Sequence, residues 1–310
     1  MINFSVVIVT YGREVELSDL MRSISDQNNL LNLNEIIVVD NHPSEIAKKI
    51  INQHNSLNIK YINNKVNSLT SGRSKGANAT NSDIVLFLDD DVILECDYFD
   101  NLIKFYTRYP DANGMQGIFD VGDYSRIKNF FNRLFWLFNY SHSSFKVYPS
   151  IQASYACNTT EIKKCEWFSG TNFSYKKNIL LKTHFDLKLK KYCEGEDIDY
   201  SYRVFKNFGG LYVNPHCKIK HQAAITSREI GEEFAIMQEI YGIYLLKKLF
   251  PGSKIAIFKY FISRVGKGIL LMIELLRFRS HSFKNLVNYF KALHRSYFDG
   301  DIEKFNKEIM

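Results

Sequence analysis

Three consecutive aspartates, Asp89, Asp90 and Asp91, follow directly on the apolar run Ile84-Val85-Leu86-Phe87-Leu88. An uninterrupted apolar pentapeptide reads as a strand buried on both faces of a parallel sheet. Carboxylates at the C-terminal end of such a strand stand where open α/β sheets take up ligands. Three adjacent negative charges repel one another and add nothing to folding. A divalent cation together with a phosphorylated ligand removes that penalty. The plainer alternative is a solvated acidic turn.

Five further groups of chemistry-bearing residues share the chain with this triplet. Thr10-Tyr11-Gly12-Arg13 follows the apolar run at 5–9, and Asp40-Asn41 closes the run IIVV at 36–39. Gly72-Arg73-Ser74-Lys75-Gly76 precedes the aspartate strand. Glu196-Asp197 lies in the segment GEDIDYSYR, and His221 follows the segment at 211–216. Taken singly, an aspartate after a strand is a turn or cap residue and a lone histidine is structural. The ordered set is more specific than any of its members.

The elements that must hold these residues alternate strand and helix signals over the first hundred residues. Strands are expected at 5–9, 36–39, 59–62 and 84–88. Leu17, Leu20, Met21 and Ile24 are spaced as one face of a helix. Ile46, Ile50 and Ile51 suit a short helix capped by Ser44, and the segment from Gly72 to Ala77 is expected to open another. This alternation predicts a parallel sheet with right-handed crossovers. In the middle, Phe130, Phe131, Phe135, Trp136, Phe138 and Tyr140 crowd one stretch with Arg126, Lys128 and Arg133. It reads either as a core helix or as an acceptor-side or membrane-facing segment. Trp167 to Asn172 then leads into a strand or turn before Lys176.

From Thr226 onward the pattern is helical. Thr226 and Glu229 have capping-box spacing, and Pro251-Gly252 stops the first helix. Two more apolar stripes follow, at Phe258–Leu276 spacing and at Phe283–Tyr297 spacing, with Gly266 and Gly268 weakening the first of them. Asp199 and Arg203, four apart, are expected to form a helix salt bridge.

Composition is that of a folded protein: 310 residues, 45% hydrophobic and 24% charged. The net charge is +7, and it is unevenly placed. Between Lys247 and Arg295 eleven basic residues meet one acid, Glu274, so the rest of the chain is net negative. That basic C-terminal part points to an anionic partner, a membrane surface or a nucleic acid. No recognisable nucleic-acid-binding module accompanies it. The helices read either as an appendage packed on the rest of the chain with merely solvated lysines or, as the favoured expectation, as a surface that rests on an anionic membrane. The five cysteines form no CxxC pair, which fits a reducing compartment. The first residues carry no basic region ahead of their apolar stretch, so a signal peptide is not expected, and no run is apolar enough for a spanning helix.

On SVVIVTYGRE, IIVVDN, LFLDDD, FSGTNFSYKK and GEDIDYSYR…GGLYVNPHCKIKH, the chain resembles the family 2 glycosyltransferases over about residues 4 to 225. The resemblance implies an inverting, nucleotide-sugar-dependent enzyme of GT-A fold, a Rossmann-like, mostly parallel sheet flanked by helices. A catalytic domain is then expected at 1–225 and a basic amphipathic helical extension at 226–310. It further implies a divalent metal, Mn²⁺ or Mg²⁺, bound by Asp91 with Asp89 and His221. Asp197 resembles the family's base, with Glu196 orienting the acceptor or its loop. Thr10, Tyr11 and Arg13 fall on the donor side, where Thr10 and Tyr11 flank the base. Asp40 accepts from the N3–H of uracil or thymine, Asp90 holds the ribose, and Arg73 and Lys75 supply positive charge. Ser74 stands where many members carry Asn. The setting this implies is bacterial surface-polysaccharide synthesis on a saccharide or lipid-linked acceptor, at the cytoplasmic face of the cell membrane. A metal-dependent nucleotidyltransferase and an inactive nucleotide- or saccharide-binding protein are the alternatives.

Overall fold

The computed structural model describes residues 2–119, 121–122, 125–141, 145–157, 159–192, 194–222, 231–276 and 282–310. In chain order the first half contains β1 (Phe4–Thr10), α1 (Glu14–Ser25), β2 (Leu33–Asp40), α2 (Ile46–Ile51), β3 (Ile59–Asn63), α3 (Leu69–Ala79), β4 (Ile84–Asp89), β5 (Val92–Leu94), α4 (Tyr98–Arg108) and β6 (Gly114–Phe119). Then come α5 (Arg126–Leu134), β7 (Asn139–Ser141), β8 (Val147–Tyr148), β9 (Gln152–Ala156), β10 (Lys163–Lys164), β11 (Asn172–Lys176), α6 (Lys177–Lys182), α7 (Glu196–Phe208) and β12 (Leu211–His221). The chain closes with α8 (Glu232–Leu249), α9 (Lys254–Leu276), α10 (Ser282–Phe298) and α11 (Ile302–Ile309).

The main sheet runs β10-β12-β6-β11-β4-β1-β2-β3, with β5 also paired to β12. β4, β1, β2 and β3 are parallel, as the alternation of signals predicts. β11 is antiparallel to both β4 and β6, so the sheet is mixed beyond the fourth strand. The first crossovers step outward from β1 to β2 to β3, and the chain then returns to place β4 on the other side of β1. That reversal leaves a crevice between the carboxyl ends of β1 and β4, the usual ligand site of an open α/β sheet. The apolar residues of β1, β2 and β4 are buried on both faces, against α1, α2 and α4 on one side and against α3, α6 and α7 on the other.

Several local expectations need correction. Ser44 does not cap α2: its hydroxyl bonds His42 Nδ1 at 2.6 Å, and the cap position is Glu45 in a left-handed conformation (φ 51°). Gly72 does not open a helix. α3 already starts at Leu69, with Ser68 accepting from Ser71 N at 3.3 Å. Gly72 and Gly76 lie inside that helix, one turn apart, where a Cβ would sit 2.7 Å from Val9 Cγ1 and 2.3 Å from Val7 Cγ1. Their propensity cost is accepted because it lets α3 lie directly on β1. Gly266 does the same in α9, where a Cβ would come 2.4 Å from Phe135 Cβ. The Thr226–Glu229 capping box falls outside the described residues. α11, capped by Asp301 through Glu303 N and Lys304 N, was not anticipated.

The aromatic stretch resolves into α5, which has no buried residue, followed by a loop that turns back to the core. Ile127, Phe130 and Leu134 of α5 are exposed, while Leu137 is buried. Helices α8 to α11 share an apolar cluster that also takes in Ile151 and Leu189 of the preceding part. Among the described residues no helix is long and apolar enough to cross a membrane.

Candidate active site

β1 and β4 are in register with Val9 opposite Asp89, which brings the residues after both strands to one edge of the crevice. Thr10 Oγ1 donates to Asp90 Oδ2 at 2.7 Å, and Arg13 Nη1 donates to Asp90 Oδ1 at 2.8 Å and reaches Asp91 Oδ2 at 3.3 Å. Arg13 thus bridges Asp90 and Asp91, and the Thr10 hydroxyl fixes Asp90. Burial pushes the Asp90 carboxyl up to about 6, against the pull of Arg13 and of the Thr10 hydroxyl.

His221 arrives from 130 residues further along because β12 pairs antiparallel with β5, placing His221 opposite Val92. Gln222 N donates to Asp91 O at 2.9 Å, which pins the two strand ends together. His221 Nε2 lies 3.2 Å from Asp91 Oδ1, and its ring meets Phe119 edge-on with centroids 5.4 Å apart. Asp89 faces the other way. Its Oδ1 accepts from Arg73 Nη2 at 3.0 Å, and burial raises its pKa even though Arg73 opposes the shift.

Arg73, only 2% exposed, is the centre of a second cluster. Because α3 lies tight on β1, the guanidinium reaches Asp89, the carbonyl of Gly170 at 2.8 Å, and Glu196 Oε1, to which Nη1 donates. Gly195, at φ 96°, allows the sharp entry into α7 that turns Glu196 inward. Asp197 Oδ2 accepts from Gly170 N at 3.1 Å and its Oδ1 from Ile198 N at 2.8 Å. Gly170 is therefore clamped through both its carbonyl and its amide. A Cβ there would lie 3.1 Å from Arg73 Nη2. Burial pushes Glu196 up to about 7, partly countered by Arg73, and Asp197 up to about 6, against the amide of Ile198 and Arg73. Glu196 Oε2 is buried without a hydrogen-bond partner among the described residues.

Both clusters line a single cavity of about 760 Å³, which takes in Asp91 and His221 as well as Glu196 and Asp197. The cavity also takes in Thr10, Tyr11, Arg13, Arg73, Asp89 and Asp90. Tyr11 is partly exposed there, its ring edge-on to His42 at 4.9 Å. Two expected donor residues are not on the wall. Asp40 is fully buried and accepts from His42 N, Ala47 N and the Tyr61 hydroxyl, leaving Asn41 as the residue that faces the cavity. Lys75 donates to Asn64 Oδ1 at 2.6 Å, and Asn64 in turn donates to Asn41 Oδ1 at 2.7 Å. Lys75 thus acts on the cavity through two asparagines. Asp199 makes the expected ion pair with Arg203, 2.7 Å from Oδ2 to Nη2, and a further one with Lys248 of α8 at 2.7 Å.

Other wall residues carry no motif. Lys191 and Tyr192 come from the segment before α7, and Phe234 comes from α8. Their one sequence signal is the basic run Lys188-Leu189-Lys190-Lys191 just ahead of the Glu-Asp segment.

The donor set suits a hard divalent ion. Asp91 Oδ1 and His221 Nε2 converge, and such ions commonly take one or two protein carboxylates and fill their remaining positions with water and phosphate oxygens. Among the described residues no three His, Cys, Asp or Glu side chains surround a common point, so the set falls short of a closed cage. Asp89 is committed to Arg73.

Several known proteins are similar to this chain. Glucosyl-dolichyl phosphate glucuronosyltransferase of Haloferax volcanii is 23% identical over 230 residues, covering 70% of this chain and 68% of that protein. The crystal structure of GalNAc-T7 with UDP, GalNAc and Mn²⁺ superposes with a TM-score of 0.56 at 18% identity, covering 71% of this chain but 44% of that one. The chain therefore spans less than half of GalNAc-T7. The mannosyltransferase PcManGT from Pyrobaculum calidifontis, in complex with GDP-Man and Mn²⁺, superposes with a TM-score of 0.57 at 12% identity, covering 96% of this chain and 88% of that one. The shared architecture is the GT-A fold, with helices added at the C-terminus. Residues 5–180, more than half the chain, match the profile of Glycosyl transferase family 2, and the chain belongs to that family.

Proposed function

We propose that this family 2 glycosyltransferase moves a sugar, with inversion, from a UDP- or dTDP-linked donor to a hydroxyl of a saccharide or lipid-linked saccharide. One observation carries the reading: Asp91, His221 and Asp197 line one cavity. A shared cavity lets one sugar meet both groups in a displacement in which the leaving diphosphate and the incoming hydroxyl stand on opposite faces of the anomeric carbon. The Asp91–His221 side holds the diphosphate, with Arg13 adjacent. A divalent ion bound there supplies charge stabilisation for the departing phosphate oxygens. Asp90, fixed by Thr10 and Arg13, holds the ribose, and Tyr11 offers the nucleobase an aromatic edge beside Asn41. The choice of UDP or dTDP follows the family resemblance, in which Asp40 is matched to the N3–H of uracil or thymine.

Asp197 takes the proton of the acceptor hydroxyl as that oxygen bonds to the anomeric carbon. The bond from that carbon to the diphosphate breaks, and its electron pair leaves with the phosphate oxygen. With its pKa pushed up to about 6, Asp197 is ionised at neutral pH yet more basic than an ordinary aspartate. Glu196 positions this base through Arg73 and Gly170. A nucleotidyltransferase would have no use for Asp197 in the same cavity. The test is release of nucleoside diphosphate from a panel of UDP- and dTDP-sugars. Release by the wild type and not by Asp197→Asn supports transfer chemistry, and equal release by both contradicts it.

The second part of the reading concerns location. We place the enzyme on an anionic cytoplasmic membrane leaflet, in surface-polysaccharide assembly. Phe258 and Phe261 of α9 are 60% and 54% exposed, and Phe130 of α5 and Phe290 of α10 are also exposed. Lys254, Lys259 and Lys284 lie in the same helices. Exposed aromatics interspersed with lysines are the make-up of an interfacial surface.

A further inference from the structure

The cleft continues past Asp197. Beyond it lies a second cavity of about 290 Å³ that shares Ser169, Glu194, Gly195 and Asp197 with the first. This volume is at the small end of small-molecule sites, about 300 to 1,000 Å³. Its lining includes Phe138 and Trp167, together with Gln238, Tyr260, Arg264 and Lys267 of α8 and α9. The Trp167 indole is fixed by a bond from Nε1 to Ser154 O at 2.9 Å. Gln238 donates to Glu194 at the boundary between the two cavities.

Glu194 and Asp197 put negative charge on the lining, and Arg264 and Lys267 of α9 put a local excess of positive charge beside it. Arg264 Nη1 lies 3.0 Å from both oxygens of the buried Glu239, and Lys267 Nζ lies 3.1 Å from Oε1 of the same carboxylate. Burial would raise the pKa of Glu239, but Arg264 and then Lys267 more than offset it, so the carboxylate stays charged. Two cations therefore share one anion. Arg264 is 6% exposed, and its Nε is buried with no hydrogen-bond partner among the described residues. A buried guanidinium N–H without an acceptor is a penalty that an incoming oxygen relieves.

We propose that this cavity seats the acceptor, and that the acceptor is a saccharide carrying an acidic group, a carboxylate or a phosphate, received by Arg264 and Lys267. The sugar's apolar face lies against Trp167 and Phe138, and its nucleophilic hydroxyl lies at Asp197, which lines both cavities. The inference rests on the transfer reading above and adds the acceptor's chemical class to it. The helices after β12 are then part of the active site, since they build the acceptor wall and select for charge.

The test is a binding titration of the full-length protein, held with UDP and Mn²⁺, using p-nitrophenyl β-glucuronide and glucose 6-phosphate as acidic probes and p-nitrophenyl β-glucoside as the neutral one. At least one acidic probe should bind about tenfold more tightly than the neutral one, the worth of one charge-assisted hydrogen bond. Lys267→Gln should bring the two classes close to equality, and Phe138→Ala should weaken both alike. Neither change should alter stabilisation by UDP and Mn²⁺. Equal or tighter binding of the neutral probe, binding of no acidic probe, or an undiminished preference in Lys267→Gln overturns the proposal. Loss of UDP–Mn²⁺ stabilisation in the wild type would instead overturn the donor site on which it rests.

Discussion

Glu196 and Asp197 are adjacent in sequence, and their surroundings differ. Glu196 faces Arg73 inside the protein, whereas Asp197 is held by the amides of Gly170 and Ile198 and stays partly exposed to the cavity. Asp197→Asn keeps the size and the cavity wall but cannot accept a proton. We expect kcat to fall by about 10²- to 10⁴-fold, the usual share of a general base. Nucleotide binding, followed by thermal shift, should be unchanged. A base with a pKa of about 6 must be ionised to act, so kcat/KM should fall as pH drops through 6 rather than through the ordinary aspartate range near 4. A pH profile flat down to pH 5 would remove Asp197 from that role. Arg73→Met should leave the carboxylates of Asp89 and Glu196 buried without their cation, at a cost of about 3–5 kcal/mol in a denaturant titration. The motif residues were legible in sequence because they follow apolar runs. Their pairing was not, since Arg73 and Glu196 are 123 residues apart. Asn41 took the wall position expected of Asp40 because Asp40 turns inward to cap its own turn.

At the scale of elements, the glycines of α3 determine how closely the helix approaches β1, and that approach sets the reach of Arg73. Gly76→Ala puts a methyl against Val7, and overpacking of this kind costs about 1–3 kcal/mol. The melting temperature should drop, and kcat should drop with it as the Arg73 clamp shifts. An unchanged melting temperature would mean that the helix can move away freely. The parallel strands were legible from their uninterrupted apolar runs. The antiparallel insertion of β11 between β4 and β6 was not, because strand order depends on pairings between segments far apart in sequence. The glycine segment of α3 read as the start of a helix because glycine's propensity disfavours helix interiors. Tertiary packing on Val7 and Val9 overrode that preference.

On the scale of the whole molecule, the C-terminal helices are joined to the catalytic part by ion pairs and by wall residues. Lys248 binds both Asp186 and Asp199, Phe234 enters the larger cavity, and Arg264 and Lys267 line the smaller one. Part of the basic excess is therefore used internally, as sequence counting could not show. If the exposed aromatics meet a membrane, Phe258→Ser with Phe261→Ser should abolish sedimentation with anionic vesicles and leave the melting temperature unaltered. Binding by the wild type should weaken with salt. Vesicle binding unaffected by the double substitution would assign those side chains to another surface.

The most direct test of the account is a thermal-shift comparison of wild type, Asp91→Ala and Asp197→Asn with UDP, dTDP, GDP, CDP and ADP, each with and without Mn²⁺. The account predicts a metal-dependent rise in melting temperature with UDP or dTDP for the wild type and Asp197→Asn, and its loss in Asp91→Ala. No rise with any nucleotide in the folded wild type, or a rise that ignores both Mn²⁺ and the Asp91 substitution, would contradict it.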